Sequence, residues 1–102
     1  MKKSFEEKVH EIVKKIPKGK VATYSQVTNL IGCPGAARAV GNTLHKNKNP
    51  QVPCHRVVHK NGKLSPKFAF GGIISQKEKL IREKVPFQNE DTVFMKRALW
   101  KN

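Results

Sequence analysis

The chain has 102 residues, enough for one modest hydrophobic core, and carries 21 Lys and Arg against 7 Asp and Glu, a formal net charge of +14. This length excludes a second independent core, and no apolar run approaches the roughly 20 residues of a membrane span. The charged N-terminus lacks the apolar segment of a signal peptide, which predicts a cytoplasmic protein, nucleoid-associated if the source is prokaryotic. We therefore expect one domain over residues 1–102.

The acidic residues are confined to the two ends of the chain. Glu11 is the last of the N-terminal group and Glu78 the first of the C-terminal group, so residues 12–77 contain no carboxylate. A uniformly basic surface attracts polyanions, because neutralised phosphates release their counterions. The distribution favours nucleic acid as the partner over a solubilising coat, which usually mixes both charges. An acidic membrane surface is also disfavoured, because no long basic amphipathic helix stands out.

Two capping boxes predict the first two helices. Ser4 with Glu7 opens the first, which ends at Pro17, and Thr23 with Gln26 opens the second. The apolar positions at helical spacing are Phe5, Val9, Ile12, Val13 and Ile16 in the first helix and Val27, Leu30 and Ile31 in the second.

Residues 35–47 predict a third helix, separated from the second by a turn that contains Gly32. Its two faces differ in polarity. Ala37, Val40 and Leu44 form the apolar face, and Arg38, Asn42 and His45 form the polar one. Two short helices joined by a glycine-containing turn are typical of a helix-turn-helix. We predict this motif at about residues 23–46, in a mainly α fold with short β segments of the winged-helix type.

Short elements are predicted for the remainder. The segment "CHRVVHKNGKLS" predicts two extended pieces about the "KNG" turn. The segment "SQKEKLIREK" predicts a helix opened by a capping box of Ser75 with Glu78, with Ile74, Leu80 and Ile81 turned inward. After residue 84, a terminal strand and a turn of helix are equally compatible with the pattern.

Cys54 and His55 are adjacent in "PCHRV", after a proline that fixes the chain entering the pair. The pair can be part of a metal site, a nucleophile with its base, or a small buried thiol in the core. Zinc is disfavoured, because these residues with Cys33 and His59 lack the paired spacing of structural zinc ligands, and a disulfide is disfavoured in a cytosolic chain. On the dipeptide alone, core packing is the favoured interpretation.

Three longer segments change that assessment. "IPKGKVATYSQV", "PGAARAVGNTLHKN" and "VPCHRVVHKNGK" follow one another in this order, and together they closely resemble the C-terminal domain of the O6-alkylguanine-DNA alkyltransferases, also called methylated-DNA-protein-cysteine methyltransferases. The resemblance extends from Phe5 to about Glu83. It implies DNA repair by nucleotide flipping and direct, stoichiometric transfer of an alkyl group from O6-alkylguanine in double-stranded DNA to a cysteine. It further implies a monomer that needs no metal and no cofactor.

The resemblance implies a catalytic role for four residues. Cys54 matches the cysteine that accepts the alkyl group, and His55 would deprotonate the thiol through a water. Glu83 matches the glutamate that orients the imidazole, although "KEKLIRE" departs by about one residue from the family's K-x-x-L-L-x-x-E. Asn47 would brace an active-site loop at about residues 47–60. Arg56 is expected to be structural.

The resemblance also implies a DNA-binding surface on the helix-turn-helix, which the family docks in the minor groove. Arg38 would enter the duplex and fill the space of the extruded base, and Tyr24 would help to rotate the nucleotide out. The other implied DNA contacts are Thr23, Ser25, Ala36, Ala37, Gly41 and Asn42. The alkyl pocket is implied to be lined by Tyr24, Pro53, Phe68 and Phe70.

Two features keep a second function open. The segment "GKLSPKFAFGG" is about two residues longer than the family's G-x-x-G-x-Y-x-G-G, and the chain length and the ending "ALWKN" resemble the alkyltransferase-like proteins. Those relatives are not enzymes, usually carry tryptophan in place of the cysteine, and flag O6-alkylguanine for nucleotide excision repair proteins. A helix-turn-helix transcription factor is a third alternative, disfavoured because the face with Arg38 and Asn42 offers few side chains that read bases.

Overall fold

The computed structural model describes residues 3–65 and 71–101, which form five α-helices, one 3-10 turn and two sheets of two strands each. The helices are α1 (Phe5–Lys14), α2 (Tyr24–Leu30), α3 (Ala37–His45), α4 (Gly72–Arg82) and α5 (Met95–Ala98). The strands are β1 (Ala22–Thr23), β2 (Val57–Val58), β3 (Phe87–Asn89) and β4 (Thr92–Val93), and the 3-10 turn is Cys54–Arg56. The predicted mainly α fold with short β segments is confirmed.

Both N-terminal capping boxes form as predicted. The Ser4 hydroxyl accepts a hydrogen bond from the Glu7 backbone at 3.1 Å, while the Glu7 carboxylate accepts one from the Ser4 backbone at 3.2 Å. Thr23 and Gln26 make the same reciprocal pair at the start of α2, at 3.0 and 3.3 Å. These local bonds satisfy backbone donors that would otherwise be unpaired at each helix start.

Helices α2 and α3 pack against each other and against α1 to form the helix-turn-helix. The cluster at their interface is built from Val9, Val13, Ile16, Val27, Val40 and Leu44. Leu30 was expected in this core, but its side chain is exposed, and Thr28 is buried instead. At roughly 100° per residue, the buried face of α2 is centred between Val27 and Thr28, which leaves Leu30 at its edge.

Helix α4 differs from its prediction. It begins at Gly72, with Gly71 as N-cap at a φ of 118°, so Ser75 lies inside the helix and forms no capping box with Glu78. Leu80 is buried as predicted, whereas Ile74 and Ile81 are 74% and 53% exposed. The inward face is instead formed by Ile73, Gln76 and Leu80, at spacings of three and four residues.

Residues 54–56 were predicted to be extended and instead form the 3-10 turn. The Arg56 N–H donates to the Pro53 carbonyl at 2.9 Å, which closes the turn directly after the proline. Strand β2 follows at once and pairs in parallel with β1, Ala22 opposite Val57. This pairing holds the Cys54 turn beside the start of α2. The "KNG" turn forms as predicted, with the Gly62 N–H donating to the His59 carbonyl at 2.8 Å.

The C-terminal segment contains both elements that its pattern allowed, the β3–β4 antiparallel hairpin and then the single helical turn of α5. A second core cluster lies beneath them, formed by Val21, Val58, Leu64, Leu80, Val85, Val93 and Ala98. Backbone bonds from Val21 N to Ala98 O and from Trp100 N to Val21 O tie this end of the chain to the segment before β1. None of the helices in the described ranges is both long and apolar enough to pass through a bilayer.

Candidate active site and nucleic-acid interface

The Cys54 side chain is almost completely buried at the first position of the 3-10 turn, where it packs in the helix-turn-helix core. Burial raises the pKa of the thiol above its ordinary value of 9.0, and the Asn47 amide, 3.6 Å from Sγ, opposes this shift only in part. The resting side chain is therefore a neutral thiol at pH 7. Cys33 and Cys54 are both free cysteines.

Asn47 holds together the loop that leads to the thiol. Its Oδ1 accepts from the Asn49 backbone at 2.9 Å, and its Nδ2 donates to the Asn49 carbonyl at 3.1 Å. The Val52 carbonyl lies 3.4 Å from the same Nδ2. A buried amide with these contacts fixes residues 47–52 in one conformation and lies beside the Cys54 sulfur.

His55 projects from the same turn toward α4, where its Nε2 lies 3.0 Å from Glu83 Oε2. A carboxylate can only accept, so Nε2 carries the proton and Nδ1 keeps its lone pair. Burial lowers the pKa of His55 below its ordinary value of 6.5, more strongly than the nearby Glu83 raises it. The imidazole is therefore neutral at pH 7 and can act as a base.

Arg56 has a contact that the sequence interpretation missed. Its guanidinium makes a bidentate ion pair with Glu83, with Nε to Oε1 at 2.9 Å and Nη2 to Oε2 at 2.6 Å, and Nη1 donates to the Ile16 carbonyl at 2.7 Å. Burial acts to raise the pKa of Glu83, but hydrogen bonds from Arg56 and His55 hold it below its ordinary value of 4.5. The Glu83 carboxylate that faces His55 is therefore charged at pH 7. An arginine directly after the histidine, in a region without acids, is the signal that could have indicated this pair.

Glu83 reaches the site because it is the C-cap of α4. The Lys84 N–H donates to the Ile81 carbonyl at 2.9 Å, and the Val85 N–H to the Leu80 carbonyl at 3.0 Å, the two bonds of a Schellman motif. Lys84 occupies the left-handed position of that motif at a φ of 64°, which glycine usually fills. The structure thus brings Glu83 to His55 despite the one-residue departure in the sequence pattern.

A cleft of about 480 Å³ opens between α2, α3 and the segment after β2. Six of the expected DNA-binding residues line it: Tyr24, Ser25, Ala37, Arg38, Gly41 and Asn42. His45, His59, Lys60 and Ser65 complete the lining, and of these only His45 was assigned from the sequence to the polar face of the third helix. Among the described residues, this lining contains cations and polar groups but no carboxylate, which suits a polyanion.

The other expected interface residues lie outside this lining. Thr23 caps α2, Ala36 directly precedes α3, and Pro53 precedes the 3-10 turn. Phe68 and Phe70, expected in the alkyl pocket, lie outside the described residues.

Tyr24 connects the cleft with the thiol. Its ring lies 5.2 Å from that of His59 at the cleft wall, and Ser65 lines the same cleft. Burial raises the pKa of the phenol above its ordinary value of 10.0, and the charge of an ionised Cys54 would raise it further. Cys54 does not line the cleft itself, but it is within electrostatic range of a residue that does.

The helix-turn-helix and the buried thiol behind its cleft define a DNA-binding domain with a cysteine held next to a histidine–glutamate pair. Residues 4–85 match the family model described as 6-O-methylguanine DNA methyltransferase, DNA binding domain, and the chain belongs to this family. The resemblance drawn from the sequence is confirmed.

Relatives of two kinds are similar to the chain. It is 41% identical over 80 residues to the methylated-DNA--protein-cysteine methyltransferase of Mycobacterium bovis, a match that covers 76% of this chain and 46% of the relative. The chain thus spans about half the length of this curated methyltransferase. It is 38% identical over 82 residues to alkyltransferase-like protein 1 of Schizosaccharomyces pombe, and this match covers 79% of this chain and 76% of that protein.

Similarity to solved structures extends over the whole chain. The crystal structure of S. pombe Atl1 in complex with damaged DNA containing O6-carboxymethylguanine superimposes with a TM-score of 0.87 at 31% identity, covering 100% of both chains. This likeness supports the helix-turn-helix fold class inferred from the sequence.

Proposed function

We propose that the protein repairs O6-alkylguanine in duplex DNA by transferring the alkyl group to Cys54. The observation that carries the proposal is the arrangement behind the helix-turn-helix. The buried Cys54 directly precedes His55 in the 3-10 turn, and Nε2 of the neutral imidazole is hydrogen-bonded to the charged Glu83 carboxylate at 3.0 Å. Such an arrangement activates a nucleophile, because the carboxylate fixes the tautomer in which the histidine can accept a proton.

The transfer is a displacement at the alkyl carbon. The Cys54 thiol loses its proton through a water to His55 Nδ1, the sulfur attacks, and an S–C bond forms as the C–O6 bond breaks. The electron pair stays with the guanine, which takes up the proton that the thiol released. A thioether is chemically stable, so each molecule would react once.

The directions in which the pKa values of Cys54 and His55 are shifted fit a thiol that reacts once per protein molecule. The pKa of Cys54 is raised and that of His55 is lowered, so both are neutral at pH 7 and proton transfer between them is unfavourable at rest. A buried neutral thiol reacts poorly with stray electrophiles. The acceptor would therefore persist until the cleft delivers an alkylated base to it.

Double-stranded DNA would bind along α3. Arg38 and Lys60 supply positive charge at the cleft. The small side chains of Ala37 and Gly41 would let the DNA backbone approach the helix closely. The family resemblance implies that Arg38 occupies the space of the flipped base, whose extrusion is easiest when pairing is weakened by damage. The protein would act as a monomer where DNA is present, in the cytoplasm or at the nucleoid.

A lesion sensor is the second candidate. Its support is the burial of Cys54 together with the likeness to S. pombe Atl1 over the whole of both chains. In that case the cleft would bind O6-alkylguanine without transfer, and the complex would be recognised by nucleotide excision repair proteins.

Intact mass spectrometry after incubation with an O6-methylguanine duplex distinguishes the two. Transfer predicts the gain of one methyl group per protein, lost in Cys54→Ala and retained in the matched control Cys33→Ala. Tight lesion-specific binding without a mass change would support the sensor and contradict transfer. Equal affinity for damaged and undamaged duplex would contradict both.

A further inference from the structure

Gln76 is a polar side chain at the centre of the protein. It lies on the inward face of α4, which also carries Leu80, with 0% of its surface exposed. Burying an amide costs free energy unless its hydrogen-bonding groups are paired. A leucine would fit the same face without that cost, so the bonds of the amide are its distinguishing feature.

The Gln76 amide bonds only to backbone, at three points of the chain. Its Nε2 donates to the carbonyls of His55 and Val57, both at 3.1 Å, and its Oε1 accepts from the Ser65 N–H at 2.8 Å. The two carbonyls flank Arg56 at the exit of the 3-10 turn. Ser65 lies at the wall of the cleft, which Tyr24 also lines. One side chain therefore joins the Cys54 turn to the cleft wall.

Helix α4 holds His55 at two points. Gln76 and Glu83 are seven residues apart, about two helical turns, so they project from the same face. Gln76 fixes the His55 main chain through its carbonyl, and Glu83 fixes the imidazole through Nε2. With both ends held, the distance between the imidazole and the preceding Cys54 can vary little.

We propose that Gln76 is a positioning residue for alkyl transfer, which keeps the Cys54–His55 turn and the Ser65 wall of the cleft at a fixed separation. The proposal rests on the proposed transfer function and extends it to a residue that contacts neither the thiol nor the imidazole. The cleft wall and the thiol turn are both attached to one amide, so a base held by the wall is presented to the sulfur at a defined distance. Displacements of about 1 Å can lower rates by two orders of magnitude.

The test compares Gln76→Leu and Gln76→Glu with the control Glu78→Gln, which alters an exposed residue of the same helix. Leucine removes all three bonds, and glutamate keeps the size and an acceptor but loses both N–H donors. Transfer from a saturating O6-methylguanine duplex is followed by intact mass to completion. Because each molecule reacts once, the final fraction of methylated protein equals the fraction that is folded and competent. The time course gives the rate constant for transfer in that fraction.

We expect both Gln76 variants to react about 10- to 100-fold more slowly than wild type, while reaching the same end point. Their affinity for undamaged duplex should stay within about twofold, because α3 is unchanged. A lower end point at an unchanged rate would mean a purely structural role and would overturn the proposal. Rates within twofold of the control at a full end point would overturn it equally.

A second measurement applies even if the wild-type protein transfers no methyl group. In a Cys33→Ser background, alkylation of Cys54 by iodoacetamide is followed against pH without DNA. Loss of positioning predicts slower alkylation of Gln76→Leu at pH 7, where His55 must assist, and equal rates at high pH, where the thiol ionises unaided. Faster alkylation of Gln76→Leu at every pH would indicate that the core is simply loosened, and identical pH profiles would indicate that Gln76 has no role. Either result refutes the positioning proposal, whether or not the protein transfers a methyl group.

Discussion

Replacing Glu83 by glutamine removes the one carboxylate on which Arg56 and His55 both converge. The side chains of Arg56 and Glu83 are 14% and 10% exposed, and their two hydrogen bonds measure 2.9 and 2.6 Å. Removing one partner of a buried ion pair costs about 3–5 kcal/mol. Glutamine keeps one acceptor oxygen, and Arg56 keeps its bond to the Ile16 carbonyl. We therefore expect a loss of about 2–3 kcal/mol in the free energy of unfolding.

The same substitution affects the chemistry. The side-chain amide introduced by Glu83→Gln can donate as well as accept, so it no longer forces the proton of His55 onto Nε2. A fraction of the protein then has Nδ1 protonated and cannot accept the thiol proton. Loss of such an orienting group typically lowers activity by about 10- to 100-fold.

Urea denaturation at pH 7 and single-turnover transfer measure the two effects. Glu78→Gln is the control, because it makes the same change in net charge at an exposed position of the same helix, and we expect it to stay within about 0.5 kcal/mol of wild type. If Glu83→Gln unfolds at the same urea concentration as this control, the ion pair is screened by solvent and the stability argument is wrong. If it transfers at the wild-type rate, His55 does not depend on the carboxylate.

Two further predictions concern stability. A left-handed conformation costs a non-glycine residue about 1–2 kcal/mol, and Lys84→Gly removes this cost while adding an entropic cost of about 0.5–1 kcal/mol. Thermal unfolding should therefore show a net stabilisation of about 0.5–1 kcal/mol, whereas the control Glu78→Gly inside the helix should destabilise by about 1 kcal/mol. Destabilisation by both substitutions would contradict backbone strain at Lys84. Stability against pH should be highest at about pH 7–8. As pH falls through 6.5, the unfolded chain protonates before His55 in the folded protein does, so stability declines. As pH rises through 9.0, the thiol of the unfolded chain ionises before the buried Cys54 does, so stability declines again, and above pH 10.0 the buried Tyr24 adds to the loss. A decline between pH 9 and 10 that persists unchanged in Cys54→Ala would refute the assignment to the thiol.

Local sequence signals predicted the elements that depend on near neighbours. The Ser4 and Thr23 capping boxes form because each bond joins residues three apart. The same pattern failed at Ser75, because α4 has Gly71 as its N-cap, four residues earlier, so that Ser75 is already inside the helix. The extended structure predicted for residues 54–56 is wrong. The β-branched Val57 and Val58 favour a strand, but the strand begins only after the turn that the Pro53 carbonyl closes with the Arg56 N–H.

The site residues were predictable only where the family resemblance supplied them. Nothing in the spacing of Gln76 indicates that it fixes the His55 carbonyl, and the position of Arg56 after the histidine suggests an acidic partner without identifying Glu83. Both contacts join segments more than 20 residues apart in the chain. Such contacts arise from tertiary packing, and periodicity carries no information about them.

The buried, neutral Cys54 thiol is compatible with rapid transfer because positioning can outweigh its poor ionisation. Each unit by which the pKa of the thiol exceeds the ambient pH costs about 1.4 kcal/mol when the thiolate forms. Holding the reacting atoms in line contributes about 7–11 kcal/mol relative to reaction in solution. Under the proposed transfer, a thiol with a raised pKa would thus still react with a base seated in the cleft and scarcely with a free alkylating agent. This selectivity depends on rigid geometry, so the contacts of Gln76 and Glu83 with His55 should influence repair more than the resting pKa of Cys54 does.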